Sequence, residues 1–141
     1  MKAFLIDPEV QTITEVDYDG NHRSIYKLID ADLFDTVRLS GSDVIFVDDE
    51  GLMKNPQHFF KLDGLTSPLA GKGLVLGTDR EGESVSPRLV SLEDLQRWIT
   101  FITRERAVTY AEQADEEARA YGKGQENFIH ISAAELLKSE K

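Results

Sequence analysis

The chain has 141 residues, 40% of them hydrophobic, a formal net charge of −10 and no cysteine. That length suits one domain with a core of its own, and the missing thiols exclude disulfides, thiolate metal sites and cysteine nucleophiles. The excess of carboxylates opposes the counterion release that drives nucleic-acid binding, so no direct nucleic-acid contact is expected, and no apolar run reaches the roughly 20 residues of a membrane span.

The opening apolar run, Met1 to Ile6, ends at Asp7-Pro8, too short for a secretory h-region, so the cytoplasm is the expected compartment. Charge is distributed unevenly: residues 1–50 carry −8, residues 51–106 carry +1 and residues 107–141 carry −3.

Residues 2–6 and 10–16 read as two strands joined at Asp7-Pro8-Glu9, with Thr12, Thr14 and Val16 in β-branched alternation. Ile25, Leu28 and Ile29 fall at helical spacing and predict a short helix over 22–29. Residues 33–39 and 44–47 read as strands around a Ser40-Gly41-Ser42 turn. Asp48-Asp49-Glu50-Gly51 then turns the chain into a third strand of a meander at 52–54.

Phe59 and Phe60 are expected to bury against the sheet, and residues 64–71 to cross it without regular structure. The wholly apolar run 73–77 predicts a central strand. Ser91-Leu92-Glu93-Asp94 has the form of a capping box and predicts the start of a long helix with Leu95, Trp98, Ile99 and Ile102 on its apolar stripe. Alanines prolong that stripe towards Tyr121, and Gly122 stops it. A last strand at 128–131 and a terminal helix from Ser132 complete the reading.

The expected fold is therefore α+β: a small, mostly antiparallel sheet with a short helix in the N-terminal half, a long C-terminal helix and a terminal helix. Residues 1–102 form the core, and residues 103–141 form a helical extension packed on it or partly projecting.

Asp48-Asp49-Glu50 is the densest run of carboxylates, a donor type that Mg²⁺ and Ca²⁺ favour. Contiguous side chains near a hairpin point to opposite faces, so a solvated turn is the better reading, and no metal site is assigned. Asp30, Asp32 and Asp35 suit an acid/base pair if folded into a cleft, but aspartates also favour turns through local backbone bonds. Gly71-Lys72-Gly73 lacks the Ser or Thr of a phosphate loop, and Gly77 opens no helix.

His22, His58 and His130 share no metal-ligand spacing, and no serine lies in a Gly-x-Ser-x-Gly elbow. Arg97 and Arg104, seven apart, would share one helical face near Trp98 and Arg106 and, with Lys54, offer an anion site. Glu112, Asp115, Glu116 and Glu117 have the wrong sign for a helix C-terminus. Either the helix breaks near 103–106 and restarts, or these acids answer a basic partner.

Val44-Ile45-Phe46-Val47-Asp48-Asp49-Glu50-Gly51 with Leu52-Met53-Lys54-Asn55, the Gly-bounded run 69–77 and the capped Ser91-Leu92-Glu93-Asp94-Leu95 carry a resemblance. Over roughly residues 25–95 the chain resembles the DUF3846 family, small uncharacterised proteins of bacteriophages and bacteria. The resemblance implies a phage or prophage accessory protein and transfers no catalytic residue.

The expected function is non-enzymatic binding of a protein partner through the acidic segment, with Asp30, Asp32, Asp35, Asp48, Asp49 and Glu50 as contacts, as an inhibitor or a mimic of nucleic acid. The alternative is a pocket for an anionic metabolite or nucleotide around Lys54, Arg97 and Arg104. A metal-dependent hydrolase ranks third. No cofactor is implied.

Overall fold

A computed structural model describes residues 1–51, 56 and 58–121. Nine strands and three helices occur among them. The first sheet begins with β1 (Lys2–Asp7) and β2 (Thr12–Asp17), an antiparallel hairpin in which Lys2 faces Asp17 and Asp7 faces Thr12. Helix α1 (Arg23–Leu28) follows, then the antiparallel pair β3 (Phe34–Ser40) and β4 (Asp43–Asp48).

The apolar run becomes β7 (Gly73–Thr78), which lies between β1 and β4. The order is β2-β1-β7-β4-β3, and β8 (Ser84–Val85) pairs with the end of β7. The central position explains the run's composition, since a strand covered on both faces has no use for a polar residue.

A second, three-stranded sheet has the order β6-β5-β9, formed by β5 (Phe59–Leu62), β6 (Leu69–Ala70) and β9 (Ile99–Ile102). Every strand pair is antiparallel. Helix α2 (Leu92–Trp98) enters β9 directly, and α3 (Arg104–Tyr121) follows.

Strand alternation sorts the side chains into layers. On one face of the first sheet, Ala3, Phe46, Leu74 and Leu76 pack with Ile25 of α1 and with Ile29, which caps that helix. On the other, Phe4, Ile6, Ile45, Val47 and Val75 pack with Phe60 and Leu62 of the second sheet and Leu95 of α2. Behind the second sheet, Phe59 and Ala70 meet Ala107 and Ala111 of α3. Each fully buried Leu, Ile or Phe contributes about 1.5–3 kcal/mol, so the central layer dominates the stability.

The long helix expected from Ser91 does not form as one element. It ends at Trp98, and Ile99 is already extended, with φ −101° and ψ 131°. Ile99-Thr100-Phe101-Ile102 is β-branched and aromatic, and pairing with β5 lets Ile99 and Phe101 face the central layer while Ile102 faces α3. Tertiary pairing thus overrides a stripe that also fits helical spacing. The helix restarts at Arg104, which brings the acids of its middle turns nearer an N-terminus than a single helix would.

Phe59 and Phe60 are both fully buried, on opposite faces of the second sheet. The third meander strand expected at 52–54, the strand at 128–131 and the terminal helix lie outside the described residues. Among the described residues, β4 has β3 and β7 as its neighbours. No described helix is long and apolar enough to cross a membrane.

Candidate functional site

The strand registers bring several connections to one end of the first sheet. Ile6 and Val47 both pair with Gly73, and Phe34 pairs with Asp48. The turn after β1, the loop between α1 and β3, the turn after β4 and the turn before β7 therefore lie side by side. They carry Asp7 and Glu9, Asp30 and Asp32, Asp48 with Asp49 and Glu50, and Lys72 respectively, while Asp35 sits one residue into β3.

Several of these carboxylates have a local reason for their place. Asp7 Oδ1 accepts the N–H of Glu9 at 3.0 Å, and Asp48 Oδ1 accepts that of Glu50 at 2.9 Å, the usual device by which aspartate closes a turn. Asp35 Oδ1 accepts the N–H of Thr36 at 2.8 Å. The N–H of Asp49 bonds the carbonyl of Leu33 at 3.1 Å, which ties the turn after β4 to the loop before β3. Phe34 anchors that loop from below, with its ring 4.9 Å from Tyr26 and 5.0 Å, edge on, from Phe46.

Asp30 terminates α1. The N–H of Ala31 bonds the carbonyl of Tyr26 at 2.9 Å and the N–H of Asp30 bonds that of Lys27 at 3.4 Å, the two bonds of a Schellman ending. That ending needs a left-handed residue, usually glycine, and Asp30 fills it at φ +55°. Its exposed carboxylate meets Lys72 Nζ at 2.7 Å, and this bond holds the ammonium above its ordinary range against the opposing effect of burial.

Asp7, Glu9, Asp30 and Asp48 line an open cleft of about 180 Å³ with Lys72 and His58. Asp30, Asp32, Asp35 and Asp49 are exposed, and Asp48 and Glu50 are half-buried. Among the described residues no group of three or more His, Asp or Glu side chains converges at metal-ligand spacing.

A family model for DUF3846, a domain of unknown function, matches residues 1–99. The chain belongs to the DUF3846 family. The matched stretch of this DUF3846 protein contains all of the first sheet and its acidic end, and it stops at the first residue of β9. Comparison with curated proteins and with solved structures gives no match.

The six acids singled out in the sequence therefore share one sheet end. Asp7, Glu9 and Lys72 join them there; the sequence offered the first two only as turn residues and Lys72 only in a rejected phosphate-loop pattern, because a turn residue shows its neighbours only once the strand order is known. The basic set is not assembled as one helical face. Arg97 is on α2, bonded to Asp94, whereas Arg104 is on α3 and donates to the carbonyl of Pro56 at 2.6 Å. Lys54 lies outside the described residues.

Proposed function

We propose that this DUF3846 protein is a non-enzymatic binding protein of phage or prophage type that docks a basic face of a protein partner, in the host cytoplasm, through the acidic end of its first sheet. The observation that supports this reading is the gathering of Asp7, Glu9, Asp30, Asp32, Asp35, Asp48, Asp49 and Glu50 at one end by strand order. Scattered carboxylates would serve solubility alone, whereas a one-sided field steers association and sets orientation. The left-handed Asp30 is consistent with it, because strain persists where a side chain's placement matters more than local stability.

The experiment is a pull-down from host lysate with the wild-type chain and with Asp30, Asp32, Asp35, Asp48 and Asp49 changed together to Asn. At low ionic strength a partner is retained by the wild type only, and raising salt to about 0.5 M, where the screening length falls to a few ångströms, releases it. Retention by the neutralised chain, or no salt-sensitive partner, overturns the reading.

A further inference from the structure

The outer face of the second sheet carries chemistry of the opposite sign. Lys61 of β5 lies two residues from Phe59, so its side chain leaves the sheet on the side that α3 covers. Its Nζ stands 5.1 Å from the centre of the Tyr110 ring. Arg106, one helical turn before Tyr110, places its guanidinium carbon 5.7 Å from the same ring and its Nη2 3.2 Å from the phenol oxygen.

Two cations thus converge on one phenol in a chain whose net charge is −10. Among the described residues neither forms a salt bridge. The ring's negative face holds each of them but does not neutralise two full charges.

We propose that Lys61, Arg106 and Tyr110 form a binding subsite for a phosphate monoester. The guanidinium supplies a planar fork of N–H donors, the ammonium three more and the phenol one O–H, a set that matches several oxygens of one phosphoryl group. Two positive charges match the dianion better than they match a carboxylate. The Arg106 hydrogen bond lowers the Tyr110 phenol from its ordinary value, with burial opposing and the Lys61 charge adding to the effect, and a more acidic phenol is the stronger donor to an oxyanion.

The site is separate from the acidic sheet end and does not rest on the reading given for it. It also differs from the Lys54, Arg97 and Arg104 set read from the sequence. The helix break moves Arg97 away, and the first turn of α3 brings Arg106 beside a sheet residue that no periodicity in the sequence connects to it.

The test is an NMR titration of the whole chain at low ionic strength with inorganic phosphate and, separately, with a nucleoside monophosphate. Saturable shifts centred on Lys61, Arg106 and Tyr110 are expected with both, equal in affinity if only the phosphoryl group is read and tighter for the nucleotide if its remainder is also held. Arg106→Gln weakens binding by about tenfold or more, and Tyr110→Phe, which keeps the ring, by about threefold. Arg119→Gln, on the same helix but outside the cluster, leaves it unchanged. No saturable shift with either probe, undiminished binding by Arg106→Gln, or an equal loss in Arg119→Gln overturns the proposal.

Discussion

Asp30 and Lys72, 42 residues apart in sequence, meet at 2.7 Å because a left-handed helix ending aims one carboxylate at the turn that feeds the central strand. Backbone and charge contributions at Asp30 are separable. Asp30→Gly relieves the positive φ and loses the exposed ion pair, and with the added chain entropy of glycine these offset to within about 0.5 kcal/mol. Asp30→Ala loses the pair and raises the cost of the positive φ, because alanine lacks the short polar side chain that lets aspartate tolerate it, so it destabilises by about 1–1.5 kcal/mol. Urea denaturation of the two variants checks the difference, and equal losses would show that the ion pair, not the backbone, governs the position.

The fully buried Asp43 is a different kind of acid. Its carboxylate accepts the N–H groups of Arg88, Leu89 and Val90, with Oδ2 at 2.7 Å from Leu89 and 2.9 Å from Val90. Asp43→Ala leaves several inward N–H groups unpaired at about 1–3 kcal/mol each, giving a total loss of about 3 kcal/mol or more, while Asp43→Asn keeps one acceptor and costs about 2 kcal/mol. Gly77 belongs to the same junction, since a Cβ there would stand 2.7 Å from Ser86 O and 3.0 Å from Asp43 Oδ1. Gly77→Ala is expected to cost about 1–3 kcal/mol by the same assay.

Tyr18 is the opposite case. Its ring is buried and its hydroxyl has no hydrogen-bond partner among the described residues, and burial, then the charges of Asp19 and Glu83, push the phenol above its ordinary value. Tyr18→Phe removes an unsatisfied polar group, so the variant should range from equally stable to about 1 kcal/mol more stable. A loss of more than about 1 kcal/mol in denaturant titration would mean that the hydroxyl is bonded in solution.

The start of α2 has a pH signature. Ser91 Oγ accepts the N–H of Asp94 at 3.1 Å, and Asp94 Oδ2 accepts that of Ser91 at 3.0 Å. The Ser91 backbone bond first, then Arg97 and the Ser91 hydroxyl, hold the Asp94 carboxyl below its ordinary 3.8. A lowered folded value means that the contribution is complete above about pH 4 and disappears as pH falls through the folded value. The stability gap between wild type and Asp94→Asn should therefore close on acidification, and a gap independent of pH would contradict the assignment. Ser91→Ala costs about 1 kcal/mol at neutral pH.

How much was legible in advance follows from the range of each signal. The hairpin at 2–16, the helix around Ile25, the central position of the run at 73–77 and the Ser91 cap are local patterns, and each lies where its residues require. The second sheet was not legible, because Phe60, Leu69 and Phe101 become neighbours only through pairings across many residues, and Trp98-Ile99-Ile102 mimics a helical stripe until β5 is beside it. The acids at 30–50 could be named but not assembled. Lys61 with Tyr110 had no signal in the sequence, since a sheet lysine and a helix tyrosine 49 positions apart share no period.

The join at Ile99 also bears on how the chain can be divided. Cutting where the family likeness ends would remove β9 from beside β5 and strip α3 from Phe59, and Thr66 would lose the Glu117 carboxylate that its hydroxyl reaches at 2.8 Å. The end of the family match and the mechanical boundary thus fall in different places. A workable excision, graft or fusion of the family region has to carry the following strand and helix with it, or furnish a substitute that shields the same phenylalanine.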